Sequence, residues 1–253
     1  MSKSRWIARS VLIALVVYGA WMRCADAMGD VSAEALAVSA FKKDAAALRQ
    51  LRAYANRGDS TAQDWLGAYH QRTGDAARAL FWYEKSARQG NVTAQNNLGT
   101  LYASGIGTPK NLAQAVYWYR KAAEQGNATA QNNLGILYHE GQGVAQNDKL
   151  SADWLSKAAN QGNAQAQYNL SELYAQGEGR PRNLVIAYAL YLLANAPAPS
   201  LGTNRDKPAA PQQQAPGLTE QQVRAAQALA QRMRAQGLLK TLAAEGAASG
   251  NPK

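Results

Sequence analysis

The stretch GNVTAQNNLGTLYASGIG, running from Gly90 to Gly107, returns 36 residues later as GNATAQNNLGILYHEGQG, from Gly126 to Gly143. A third version, GNAQAQYNLSELYAQGEG, spans Gly162 to Gly179, and a shorter one, GDSTAQDWLGAYHQRTGD, spans Gly58 to Asp75. Self-similarity at a fixed period of this size marks a repeat architecture, in which each copy is one supersecondary unit.

The downstream half of each copy repeats as well. Trp82, Trp118, Trp154 and Leu190 follow one another at intervals of 36, whereas Leu66 and Leu98 are 32 apart. The first copy therefore lacks four residues between its halves. The gap falls where the other copies carry GIGTPKN, GQGVAQN and GEGRPRN, glycine-punctuated loops that lose residues without disturbing a packed face.

Each copy reads as two helices. Ala94, Leu98, Leu101 and Tyr102 recur at the three-and-four spacing of one helix face, as do Ala130, Leu134, Leu137 and Tyr138. The second helix carries Ala115, Trp118, Tyr119 and Ala122 in the same way, with Trp118 and Trp154 expected inside. Asp59, Asn91, Asn127 and Asn163 stand at the start of the first helices, and Asp75, Asn111, Asn147 and Asn183 at the start of the second. All eight side chains can accept from the unpaired N–H groups of a first turn. Gly58, Gly90, Gly126 and Gly162 are placed to follow second helices in a left-handed cap. Gly99 and Gly135 fall inside helices, where glycine costs about 1 kcal/mol relative to alanine, so close approach of a neighbouring helix is expected there. No run alternates at strand period, and no sheet is expected.

These residues resemble the Sel-one-like repeat, a relative of the tetratricopeptide repeat, over roughly residues 59–198. The resemblance implies an all-α, right-handed superhelical solenoid of stacked helical hairpins. The copies divide as 59–90, 91–126, 127–162 and 163–198. The first departs in its short loop and in His70, where the others have tyrosine; the fourth has Ser171 for glycine and Leu190 for tryptophan. A lone hairpin leaves an apolar face uncovered, so terminal caps are expected. DAAALRQLRAYANRG imitates a second helix upstream, making 28–58 a degenerate hairpin cap. Residues 199–217 form a proline-rich linker, and LTEQQVRAAQALAQRM opens a capping helix over 218–245, with Thr219 and Gln222 as a capping box. A disordered tail is expected at 246–253.

The first 27 residues read differently. Lys3, Arg5 and Arg9 precede an apolar run from Val11 to Met22, and Ala25-Asp26-Ala27 supplies the small residues of a cleavage site. The run is shorter than the ~20 residues of a spanning helix, which favours a cleavable export signal and a periplasmic location over an inner-membrane anchor. Membrane contact is then confined to this segment if it stays uncleaved. Cleavage before Met28 removes Cys24, the single cysteine, so no disulfide staples the mature chain.

The formal net charge is +10, from 27 basic and 17 acidic residues; the leader takes away four of the former and one of the latter, leaving 23 against 16. The surplus is dispersed, and no basic stripe or motif points to nucleic acid. Catalytic signals are thin. His70 and His139 have no cysteine, HExxH or GxSxG beside them, and the GxG pairs follow helices rather than strands, so they read as punctuation and not a phosphate cradle. No metal, cofactor or catalytic residue is assigned. Some relatives are known as penicillin-binding or β-lactamase-like proteins with a cysteine pair in each repeat, which this chain lacks.

What remains is a surface. In the related tetratricopeptide geometry the first helices line the concave side. The corresponding positions are Asp64, Asn96, Asn132 and Tyr168, then Ala68, Thr100, Ile136 and Glu172, with His139 one turn on. Such a polar ladder can satisfy the backbone of an extended peptide or a partner helix. The expected role is a non-catalytic protein-interaction scaffold of the bacterial periplasm or cell envelope. A periplasmic immunity protein that neutralises a secreted toxin stands as the alternative, and an envelope hydrolase has no site residues behind it.

Overall fold

The computed structural model describes residues 32–196 and 217–249. The export segment, most of the proline-rich linker and the last four residues lie outside the described residues. Among those described there are twelve helices and no strand.

The helices pair in sequence. A degenerate hairpin, α1 (Ala33–Phe41) and α2 (Ala45–Asn56), precedes the hairpins numbered by repeat. The four sequence repeats follow as α3 (Ser60–Arg72) with α4 (Ala76–Arg88), α5 (Val92–Ser104) with α6 (Leu112–Glu124), α7 (Ala128–Glu140) with α8 (Asp148–Asn160), and α9 (Ala164–Gln176) with α10 (Leu184–Ala194). Each helix packs on its sequence neighbours, so the hairpins stack into a solenoid.

All eight expected N-caps are made. The first-helix caps are typified by Asn127, whose side chain accepts from the Ala130 N–H at 2.8 Å, and the second-helix caps by Asn147, which accepts from Leu150 at 2.9 Å. Gly58, Gly90, Gly126 and Gly162 all have positive φ just past a second helix. In the degenerate hairpin that α1 and α2 form, the residue aligned with Gly74 is Lys43, held at φ 70°. A side chain in that region costs roughly 1–2 kcal/mol, a local sign of how far this copy has drifted.

The mid-helix glycines answer to close packing. A Cβ on Gly67, Gly99 or Gly135 would lie 2.6 Å, 2.7 Å and 2.8 Å from Tyr83, Tyr119 and Leu155 respectively. The second helix of each hairpin therefore seats a large side chain on the bare backbone of the first. This corrects the expectation for the tryptophans. Trp118 and Trp154 are only partly buried, each lying against the seam between the preceding second helix and its own first helix, and the fully inward positions belong to Tyr83, Tyr119 and Leu155.

A buried amide relay joins successive hairpins. Gln63, Gln95, Gln131 and Gln167 each donate to a carbonyl at the end of the preceding second helix, that of Ala55, Ala87, Ala123 and Ala159. Gln89, Gln125 and Gln161 in turn donate to the side-chain oxygens of Gln63, Gln95 and Gln131 at 2.6–2.8 Å. The relay adds a second hydrogen bond to helix-end carbonyls that already accept from the N–H groups of Gly58, Gly90, Gly126 and Gly162.

The glycines of the interhelix loops also mark contacts. A Cβ on Gly107, Gly143 or Gly179 would strike the backbone at Ala76, Leu112 or Asp148, the start of the preceding second helix. These loops therefore act as spacers between hairpins.

The C-terminal cap differs from expectation. The sequence predicts one helix over 218–245 and a disordered tail; instead α11 (Glu220–Gln236) and α12 (Leu238–Ser249) break at Gly237, φ 91°, and helix continues to Ser249. The capping box of Thr219 and Gln222 is present. Helix α11 covers α10, while α12 turns back to α8. There the Asn160 side chain accepts from the Leu239 N–H at 3.1 Å, capping α12 from a helix 79 residues away in sequence. No pattern within 218–245 announces that cap.

Candidate functional site: the groove of the first helices

First helices of neighbouring hairpins approach one another, α3 with α5 and α7 with α9, and no pair of second helices makes a comparable contact. The first helices therefore line the inner side of the stack. The ladder read from the sequence does lie along them, but it divides into two groups.

One group is consumed by the stacking. Asp64 is 8 % exposed and accepts from Asn97 Nδ2 of the next hairpin at 3.3 Å. Burial outweighs that bond and pushes its carboxyl up to about 6. Asn132, 5 % exposed, accepts from Asn169 Nδ2 at 3.0 Å and donates to Asn133 Oδ1 at 3.4 Å. The expectation that Asn132 offers an exposed amide is corrected here: it is a stitch between hairpins. Asn96 is half-buried, and its Oδ1 has no partner among the described residues.

The second group faces out. Thr100 is exposed, although its hydroxyl lies 3.0 Å from that of Tyr119. Tyr168 is 42 % exposed and Glu172 is exposed, while Ile136 and His139 are half-buried. Three of these, Ile136, His139 and Glu172, gather around a cleft of about 340 Å³ between α7 and α9, whose lining also includes Glu140, Asn169 and Glu178. His139 Nδ1 lies 2.9 Å from Asp148 and 3.9 Å from Glu178.

Sequence reasoning missed Glu140, Asp148 and Glu178. The signal was there: Glu178 stands where the earlier loops have Ile106 and Gln142, and Asp148 where the other second helices have Leu112 and Leu184. Four carboxylates thus collect at one end of a chain that is basic overall, so this end of the groove suits a cationic side chain through charge complementarity.

His70, by contrast, is 5 % exposed and its imidazole is pushed down in pKa, chiefly by burial, with Asp75 opposing. Among the described residues no group of three metal-binding side chains converges.

Capped hairpins, a glycine-seated core and an amide relay between neighbours define an interaction solenoid of the helical-repeat class. The chain belongs to the Sel1 repeat family, whose profile matches residues 60–91, 92–127, 128–163 and 164–196. Sel1 repeats mediate binding to another protein. Two solved structures are similar. One is a protective antigen present in uropathogenic Escherichia coli strains, displaying an SLR fold, 39 % identical over 58 % of this chain and 32 % of its own, with a TM-score of 0.56. The other is a Sel1 repeat protein from Oxalobacter formigenes, 34 % identical over 62 % of this chain and 64 % of its own, with a TM-score of 0.58. The chain thus spans about a third and just under two thirds of the lengths of these relatives. No functionally curated protein matches it.

Proposed function

We propose that this chain is a non-catalytic scaffold of the bacterial periplasm or cell envelope, holding a protein partner in the groove of its first helices. The observation that carries the reading is the contrast along that groove. Asp64 on α3 and Asn132 on α7 are turned inward and bonded to amides of the next hairpin, whereas on α9 Tyr168 and Glu172 stand exposed, Glu172 on the rim of an acidic cleft.

An exposed aromatic next to carboxylates offers a partner an apolar anchor and a charge contact, the combination that concentrates binding energy in few residues. A partner segment bearing lysine or arginine is the matching chemistry. The leader of basic residues, short apolar run and Ala25-Asp26-Ala27 supports export. The description of one relative as a protective antigen is in keeping with a location outside the cytoplasm.

Affinity capture from envelope extract tests the reading. The double variant Tyr168→Ala/Glu172→Lys should lose the partner that the unaltered protein retains. Capture undiminished in a folded variant would remove the groove from the account. The identity of the captured protein separates the two roles, an envelope component for a scaffold and a secreted toxin for an immunity protein.

A further inference from the structure

On the outer side of the fourth hairpin lies a second cleft, which the groove does not use. It measures about 770 Å³, between α8, α10 and α12, with Leu150, Trp154, Ile186, Leu239 and Leu242 on its walls. Small-molecule sites fall within roughly 300–1,000 Å³ and are mostly apolar, with a few polar groups that fix orientation.

Comparison with the earlier hairpins shows how the cleft arises. Tyr102, Tyr138 and Tyr174 are equivalent positions. The Tyr102 hydroxyl donates to Glu84 at 3.1 Å, and the Tyr138 hydroxyl accepts from Arg120 at 2.8 Å. The position corresponding to Glu84 and Arg120 is Ser156, which is too short to reach and instead donates to the carbonyl of Ala152 in its own helix at 2.6 Å. The Tyr174 hydroxyl, on the lining of the cleft, has no hydrogen-bond partner among the described residues. Leu150 likewise replaces the polar Arg78 and Gln114 of the earlier copies. The space that a long polar side chain fills twice is here open, and walled by apolar groups.

Cations surround it. Arg180 is neutralised by Asp153. Lys157 Nζ sits 4.0 Å from the Trp154 ring centroid, and Arg182 Nε donates to the Ala175 carbonyl at 3.0 Å. Neither Lys157 nor Arg182 has a carboxylate partner among the described residues. The lining therefore carries three basic groups against one acid, together with an unmatched phenol donor.

We propose that this cleft binds a single-chain anionic amphiphile. Its alkyl body lies along Trp154, Ile186 and Leu242, and its carboxylate or phosphate head meets Lys157, Arg182 and the Tyr174 hydroxyl. A neutral apolar molecule leaves the cations and the phenol unmatched, and a cationic one is repelled. The site lies on the opposite side of the hairpin from the partner groove and stands independently of that assignment.

Fluorescence titration of the mature protein with a dansylated undecanoate tests this, with dodecanoate, dodecyl phosphate and dodecanol as competitors and phosphatidylglycerol vesicles in a parallel sedimentation. The expected result is saturable uptake that dodecanoate and dodecyl phosphate displace at least about tenfold better than dodecanol. Arg182→Glu, at an exposed position, should weaken uptake about tenfold. Ser156→Arg, which restores the side chain of the preceding hairpin, should abolish uptake; Arg182→Glu keeps the test alive if that variant does not fold. Absence of saturable uptake, equal displacement by dodecanol, uptake unchanged in Arg182→Glu, or vesicle binding without uptake of the free amphiphile would each overturn the proposal.

Discussion

The second and fourth hairpins start from nearly the same phrase, and their differences separate structure from function. In the second, α5 and α6 are stacked on both sides, and nearly every repeated letter has a packing duty: Asn91 and Asn111 cap, Gln95 joins the relay, and Gly99 seats Tyr119. In the fourth, one side meets the C-terminal cap. Helix α10, LVIAYALYLLA, carries no charge because α11 covers the side that stays polar elsewhere. Ser171 replaces glycine, Tyr168 and Glu172 replace the asparagine and threonine of α5, and Ser156 opens a cleft in the hairpin before. Letters held constant along the stack are those that stacking requires. Letters that change where stacking ends are free for binding.

The largest effect expected is on the seated tyrosine of the second hairpin. Tyr119→Ala should cost about 3–5 kcal/mol, and Trp118→Ala, at a partly buried site, about half as much. Thermal unfolding of the two variants checks the order; equal losses would restore tryptophan to the inner position.

Asp64 sharpens the comparison from the other end of the groove. Its folded-state pKa, about 6, lies above the ordinary 3.8, so between these values the folded chain binds more protons than the unfolded one. Stability from this group is full below the ordinary value and is lost as pH rises toward about 6, by an amount on the order of 2–3 kcal/mol. Asp64→Asn keeps an acceptor for Asn97 without the buried charge. Its melting temperature should exceed that of the unaltered protein at neutral pH and converge with it in acid. A parent protein whose stability rises through the same window would contradict the burial argument.

Glycine and serine at one register give the smaller contrast. Gly99→Ala puts a methyl group against the Tyr119 ring and should cost about 1–3 kcal/mol, since overpacking displaces the neighbour. Ser171→Ala, where a Cβ is already accommodated, should change stability by less than about 1 kcal/mol. Chemical denaturation of both variants measures the difference.

Much of this organisation was legible in the sequence, because period and chemistry point the same way. Helix spacing, eight capping side chains and the glycines past each second helix are local signals, and the structure uses every one. The tryptophans misled because hydrophobicity alone ranks Trp118 above Tyr119, whereas the choice is made by which side chain faces Gly99 across the hairpin. The amide relay was visible as a glutamine in every copy, but its partners lie one hairpin away. Asn160 capping α12 left no trace in the spacing at all. For the groove, the positions were readable and their exposure was not: Asn132 and Asn96 share a letter with exposed amides elsewhere, and only the approach of α9 to α7 turns Asn132 inward. The acidic cleft was missed because Asp148, Glu140 and Glu178 come from three different segments.

The most direct measurement is partner capture by Tyr168→Ala/Glu172→Lys beside Asp64→Asn, with melting temperatures recorded for both. The outward end of the groove should be the binding end, so the first variant loses the partner while its melting temperature stays within about 2 °C of the parent, and the second retains it. Capture kept by the Tyr168/Glu172 variant and lost by Asp64→Asn would place binding at the opposite end and contradict the account.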